Sequence, residues 1–443
     1  MMRGNLGLGT ALAFSLLVTG CGIFSGDEET TPTIGNRVAV LPQESGIEAD
    51  AALADTPVTL PAGIANVDWT QPGGEAAKNL GALTLAASPQ RVWTAQIGQG
   101  SETRAYIGGE PVVEGNRIFT MDRVGTVRAF DTQTGRELWS ASLRKKDESE
   151  RSAFGGAVSV FGGRVYATSG HGLAAAYDAN TGAEIWRTDL DVPLRGAPTV
   201  SERNVLVVTQ DNQVYALGKQ DGSRSWDVVG TVEPAGLLGA AAPAVALDTA
   251  IVGFSSGELT AVRMENGRTV WQDIIARTGQ TTSLSALSDI DASPIIDDDG
   301  RVYAMGHGGR LVALQLAGGQ RIWEQNVGGI AQPWLAGDWI FAVSSDAELV
   351  AVSKSDGRIR WVSQLPQWRD PEDRKGRITY RGPVLAGDRL WLTSSEGQII
   401  AASPQDGSVT FQAEAGKQFY LGPIVAGSTL YLLDESGRLS AWR

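Results

Sequence analysis

Side chains able to carry out metal or nucleophilic chemistry are scarce in this 443-residue chain, which has two histidines and one cysteine. That excludes a disulfide framework and a multi-thiolate zinc site, and leaves little material for histidine-based catalysis. His171, in Gly170-His171-Gly172, and His307, in Gly306-His307-Gly308, fall at matching points of two repeat units three apart. They read as turn residues, not as ligands of a shared ion. Asp297-Asp298-Asp299-Gly300 looks like a fragment of a calcium loop. It lacks the regular alternation and distal glutamate of an EF-hand, so it reads as a solvated hairpin turn. No catalytic residue, metal or cofactor is expected.

Two further groups have the chemistry of recognition. Asp289 and Asp291 lie beside an apolar strand start in the long connection 274–295, where they would suit basic partner side chains. Trp368 stands among charges in the insertion 366–376. Such a residue is either an interface anchor with a polar rim or an indole folded back onto its own domain. Arg144-Lys145-Lys146, followed by acids and Arg151, reads as a solvated loop of mixed sign.

These groups must be held by the elements around them, and composition bounds what those are. With 37 basic and 50 acidic residues the net charge is −13. A nucleic-acid partner is therefore excluded, since counterion release needs basic side chains. Met1-Met2-Arg3, the apolar run Leu6 to Val18 and the small residue Gly20 describe a signal peptide over residues 1–20. The run is too short to span a bilayer as a helix. Leu17-Val18-Thr19-Gly20-Cys21 resembles a bacterial lipobox, which implies acylation of Cys21 and a membrane tether. Gly22, where inner-membrane lipoproteins by analogy carry Asp, favours the outer membrane. Residues 22–66 hold seven acids and one base without apolar periodicity, so 21–66 is expected to be a flexible acidic tether. Residues 67–90, with Trp69 and a Pro-Gly-Gly turn, are expected to pack on the domain that follows.

Residues 91–443 are one repeated unit. Ala-x5-Gly-x3-Trp ends at Trp139, Trp186, Trp226, Trp271, Trp323 and Trp361, and a seventh copy ends at Phe411. The aromatics are 38 to 52 residues apart. Each unit has a first strand usually led by proline, a turn, a second strand, a turn, a third strand, a glycine turn and a strand ending in the aromatic. That is the pattern of a four-stranded propeller blade. The glycine supplies a positive φ, and the aromatic is expected to lie over the neighbouring blade and seal the seam. An eighth unit, Pro423 to Trp442, lacks its fourth strand, while Arg91-Val92-Trp93-Thr94-Ala95 is a fourth strand without a blade. Joining them gives an all-β, eight-bladed antiparallel propeller closed by its own chain ends, with no exposed seam.

Ala-x-Asp-x-x-Thr-Gly-x-x-x-Trp, complete in 129–139 and 176–186, resembles the tryptophan-docking repeat of quinoprotein dehydrogenase propellers. Eight such units behind a lipobox are similar to the BamB family, a lipoprotein subunit of the outer-membrane β-barrel assembly machinery. Leu287-Ser288-Asp289-Ile290-Asp291 is similar to the segment with which that family contacts the POTRA domains of the BamA-like insertase. Leu237 matches a second family contact loop, but Leu238 stands where that loop has arginine, and an apolar side chain cannot supply bidentate pairing. The resemblance implies a monomeric, non-catalytic scaffold facing the periplasm. Its partner-binding residues would be Leu237, Leu238, Asp289, Asp291 and Trp368, and nascent outer-membrane proteins would be further partners. The alternative is a quinone-dependent periplasmic dehydrogenase. Such enzymes usually add a vicinal disulfide and a calcium site; here the one cysteine is assigned to lipidation.

Overall fold

Across each blade the second, third and fourth strands put three side chains in one row. In the first blade the row is Phe119, Ala129 and Trp139, set by the register Phe119↔Ala129 and Ala129↔Trp139. Two large aromatics on one pleated face leave room only for a methyl group between them, which is why the repeat carries alanine there. The rings of Phe119 and Trp139 are 5.9 Å apart, and Trp391 and Phe411 repeat the arrangement at 5.8 Å. The third and fourth blades have Leu206 and Ile251 in place of the second-strand aromatic.

The structure, a computed structural model, describes residues 46–443 apart from 147, 151–154, 233–240 and 276–288. Cys21, Leu237 and Leu238 lie outside the described residues. Eight four-stranded antiparallel sheets form the propeller. Blades 1 to 7 span 112–142, 158–189, 194–229, 244–274, 295–325, 334–364 and 380–414. Blade 8 takes three strands from 424–442 and its outer strand, Arg91–Gln96, from the other end of the ring. The two ends pair antiparallel through Thr94↔Ser440 and Ala95↔Leu439, and Gln90 and Arg443 exchange backbone hydrogen bonds of 2.6 and 2.9 Å.

The seams are built to one rule. Seven indoles donate Nε1–H to a carbonyl of the next blade: Trp93 to Thr132, Trp139 to Ala179, Trp186 to Lys219, Trp226 to Met264, Trp271 to Leu316, Trp323 to Lys354 and Trp361 to Pro404, at 2.7–3.2 Å. Each acceptor lies three residues before the repeat glycine. That glycine has two reasons to be glycine. Gly182 has φ +73°, and a Cβ there would come within 2.6 Å of the Trp139 ring. The Asp and Thr of the full motif close the same turn, with Asp178 Oδ1 accepting from the Thr181 backbone and hydroxyl at 2.9 Å.

Residues 66–83 form a strap that bonds to the first strand of every blade in turn. Asn66 donates to Val425 of blade 8, Trp69 pairs with Val113 of blade 1, and the Thr70 carbonyl accepts from Val160 of blade 2. Ala76 and Ala77 accept from Val245 and Ile296 of blades 4 and 5, Gly81 from the Trp334 indole of blade 6, and Leu83 bonds Leu385 of blade 7. At blade 3 the chain turns through Pro72, and the Gln71 side chain takes over: its amide donates to Val200 O at 3.0 Å and accepts from Val200 N at 2.8 Å. Gln71→Leu would leave both buried Val200 groups unpaired, so a loss of about 2 kcal/mol in urea unfolding is expected. An unchanged midpoint would refute it.

The distal part of the expected tether also lies on the ring. Asp50 N donates to Ile359 O, Arg360 Nε to Thr56 O and Gln405 Nε2 to Val58 O, and Leu53 and Val58 are buried. Isolated apolar residues every five or so positions dock where a periodic pattern is absent. Among the described residues the chain is therefore ring-bound from Ile47 onward, ahead of the expected residue 67.

Candidate functional site

Where described, the connections from each outer strand to the next first strand lie on the face opposite the strap, because the strap bonds near the ends of the first strands and the connections precede their starts. Leu237 and Leu238 belong to the connection between blades 3 and 4. Asp289 and Asp291 close the one between blades 4 and 5. Asp289 is buried, at 1% exposure, so it is not the surface acid that composition suggested. Its carbonyl accepts from His307 N at 2.9 Å, and Ile290 N donates to Phe254 O at 3.2 Å, so the segment is clamped between blades 5 and 4. Asp291 turns to the wall of the ring axis. Burial, reinforced by Asp289, raises its carboxyl to about 6 against the pull of Arg195 and Arg381.

Trp368 is held elsewhere. It starts the short hairpin Trp368–Asp370 paired with Lys375–Arg377, between blades 6 and 7. The Arg377 guanidinium lies over its ring at 5.6 Å and also bonds Ser345 O and Asp346. The indole is half-buried and pinned toward blade 6, with blades 5 and 6 between it and Asp289. Of the candidates that lie within the described residues, Trp368 is therefore not in one patch with Asp289 and Asp291.

The remaining candidates are structural. His171 is buried, with Nε2 3.0 Å from Ser149 O, and burial lowers the His307 imidazole. Asp297 is not solvated: it accepts from Arg301 N, the Tyr303 hydroxyl and Lys354 Nζ, the last at 3.0 Å from the next blade. Among the described residues no group of three or more His, Cys, Asp or Glu could hold a metal ion.

One feature lies outside the repeat motif. Three residues beyond each seam aromatic, at the end of the outer strand, stand Gln96, Ser142, Asp189, Val229, Ile274, Asn326, Gln364 and Glu414. Only blades 3 and 4 are apolar there. Val229 is 59% exposed and Ile274 58%, and Val232, at 64%, follows in the connection that holds Leu237. Six polar residues at equivalent positions show what solubility favours; the two apolar ones adjoin the two connections singled out above.

Eight blades, seven of their seams sealed by tryptophan, and a strap across one face define a propeller of the tryptophan-docking class. The profile of the family described as "Outer membrane protein assembly factor BamB" matches residues 77–151, 123–363 and 366–442. The chain belongs to this family. The Yersinia pestis member is 31% identical over 281 residues, covering 62% of this chain and 71% of that one. The Vibrio cholerae member is 35% identical over 239 residues, covering 54% and 61%. Among solved structures, BamB from Moraxella catarrhalis superposes with a TM-score of 0.64 at 20% identity, covering 81% of this chain and 98% of that one. Quinohemoprotein alcohol dehydrogenase from Comamonas testosteroni gives 0.65 at 13% identity, covering 85% and 80%. At such identities the likeness is one of fold alone.

Proposed function

We propose that the ring is a non-catalytic scaffold lipoprotein of outer-membrane protein assembly. It is anchored through Cys21 on the periplasmic side of the outer membrane and docks the POTRA domains of a BamA-like insertase with the blade 3 to blade 5 connections. The exposed pair Val229 and Ile274 carries the reading, because it supplies an apolar centre where six other blades are polar. Leu237 and Leu238, which follow Val229 in the sequence, are assigned to the same contact. Asp291 adds a carboxylate at its inner edge, and Asp289 positions the segment without touching the partner. Trp368 forms a separate contact on the same face. Family membership supports the assembly role. Among the described residues no helix is long and apolar enough to cross a membrane, which is compatible with a lipid anchor.

The test is a pull-down of purified insertase periplasmic domains by the ring, followed by titration. Val229→Lys with Ile274→Lys is expected to weaken binding at least ~30-fold, as loss of two apolar anchors should, with the circular dichroism unchanged since both side chains are exposed. Undiminished binding would remove this surface from the scaffold reading.

A further inference from the structure

The segment that ends the connection between blades 4 and 5 is clamped on both flanks. Ile290, 2% exposed, is wedged against blade 4, where a Cβ on Gly253 would fall 2.5 Å from its Cγ2. A glycine inside a strand is the residue that leaves room for such a close approach. The main chain is bonded to both blades, Ile290 N to Phe254 O at 3.2 Å and His307 N to Asp289 O at 2.9 Å. Two residues after Asp291, the Ser293 hydroxyl accepts from Ala242 N at 3.1 Å and ties the same stretch to the chain leading into blade 4. Asp291 lies between these clamps, so its carboxyl stays in the wall of the ring axis.

That wall surrounds a cavity of about 520 Å³, floored by Trp69 and Gly73 of the strap. The charges around Asp291 come from several elements. Buried Asp289, on its own segment, opposes its ionisation, while Arg195 of blade 3 and Arg381 of blade 7 favour it. Arg381 gives Nε to Tyr420 O at 3.0 Å and Nη1 to Tyr380 O at 3.4 Å. Glu110, leading into blade 1, stands in the same wall, and burial raises its carboxyl to about 7. His307, in a turn of blade 5, faces Asp289, Asp346 and Arg377, and its Nδ1 is 3.4 Å from the Ser345 hydroxyl. Two carboxylates in one enclosed site cannot both ionise at low cost. Burial first, and Asp289 second, therefore raise Asp291 to about 6 although two guanidiniums are near. Asp291 is half-buried and not sealed, so a partner group can reach it.

We infer that the docking face is proton-gated: a lysine or arginine of the partner pairs with Asp291, and a proton on that carboxyl displaces it. The inference rests on the docking reading above and supplies its regulation. Acid acts twice in the same direction. It neutralises Asp291, and below the ordinary 6.5 of an imidazole it places a positive charge on His307, behind the segment. A carboxyl at its ordinary 3.8 would stay ionised from pH 7.5 to 5 and give a contact indifferent to acid. The clamped, shared site is what makes this contact responsive. A partner that pairs only with the ionised form loses affinity by the fraction protonated, about tenfold at pH 5.

The probe is the purified insertase periplasmic domains, titrated calorimetrically into the full chain between pH 7.5 and 5. Kd is expected to weaken about tenfold, most of it below pH 6.5. Asp291→Asn is expected to bind at pH 7.5 about as weakly as the parent does at pH 5, and to lose most of the pH dependence. Glu110→Gln, which removes the neighbouring carboxyl of the same wall, is expected to keep it. At pH 6, where Asp291 is half protonated, binding is expected to release ~0.5 proton, read from the heats in two buffers of different ionisation enthalpy. That release is measured on the unsubstituted chain and so is independent of how the variants fold. Equal affinity at pH 7.5 and 5, or no proton released at pH 6, would overturn the gate and leave the docking reading standing. The full change retained in Asp291→Asn would also overturn it, by assigning the proton to another group. No binding at pH 7.5 would overturn the docking reading and the gate with it.

Discussion

Between pH 7 and 9 the stability of this ring toward urea is expected to rise, and Lys78→Met is expected to abolish that rise. Lys78 is 1% exposed on the strap, at φ +66°, and among the described residues its ammonium donates to the Glu75 carbonyl, at 3.4 Å. Burial pulls the amine down to about 7, against the opposing charges of Glu75 and Glu110. The unfolded chain keeps that proton up to its ordinary pKa of 10.5, so between 7 and 10.5 the unfolded state binds more protons than the folded one. Raising pH across that window therefore favours folding, by up to ~1.4 kcal/mol per pH unit. The carboxyls act earlier. Burial raises Glu110 to about 7 and Asp291 to about 6, so their cost grows as pH rises toward those values and is complete above them. His307 is lowered by burial, so the rise it contributes levels off above its ordinary 6.5. Lys145 and Lys354 are both raised, so their contributions stay constant until pH exceeds 10.5. A gain of about 2 kcal/mol from pH 7 to 9 is thus assigned to Lys78. Methionine keeps the alkyl packing against Gly73 and removes the ammonium, giving a flat or falling profile. A flat profile in the parent, or the same rise in the variant, would defeat the assignment.

The contrast between Lys78 and the seam tryptophans shows what a sequence can disclose. The repeat was legible because packing forces it: Ala176 lies between Tyr166 and Trp186, and Gly182 lies under Trp139. Any blade that meets its neighbour in this way must carry the same residues at the same spacing. Ring closure followed from the same spacing, through Trp93 and the missing fourth strand of blade 8. The strap has no period to find, because it contributes about one residue to each blade and Gln71 pairs through its side chain. Lys78 in an apparent loop, and Val58 in an acidic segment, carry no local sign of burial. Asp289 looked like a surface acid because what buries it comes from other blades. The exposed pair Val229 and Ile274 could have been found by aligning the units three residues past the aromatic, where polarity and not the motif carries the signal.

Trp271→Ala is expected to lower unfolding stability by ~3–5 kcal/mol, and Trp271→Phe by only ~1–2 kcal/mol. The side chain is 8% exposed, donates to Leu316 O at 2.7 Å and covers Gly319, where a Cβ would fall 2.7 Å from the ring. Alanine removes the whole seal between blades 4 and 5 and opens a cavity above a glycine that has no side chain to fill it. Phenylalanine keeps most of the apolar area and loses one hydrogen bond, leaving the Leu316 carbonyl unpaired. Blade 7 already makes the second choice. Phe411 faces blade 8, whose third and outer strands come from opposite ends of the ring and are joined by no glycine turn, so the acceptor three residues before that glycine does not exist there. An indole N–H would have no carbonyl at this seam, and Phe411→Trp is accordingly expected to gain nothing. Phe411, half-exposed where Trp271 is buried, should cost less on truncation to alanine. Urea midpoints at constant slope decide the matter. If Trp271→Phe were as damaging as Trp271→Ala, the hydrogen bond and not the packing would seal the ring. Equal losses from Trp271→Ala and Phe411→Ala would mean that the eighth seam is built like the other seven.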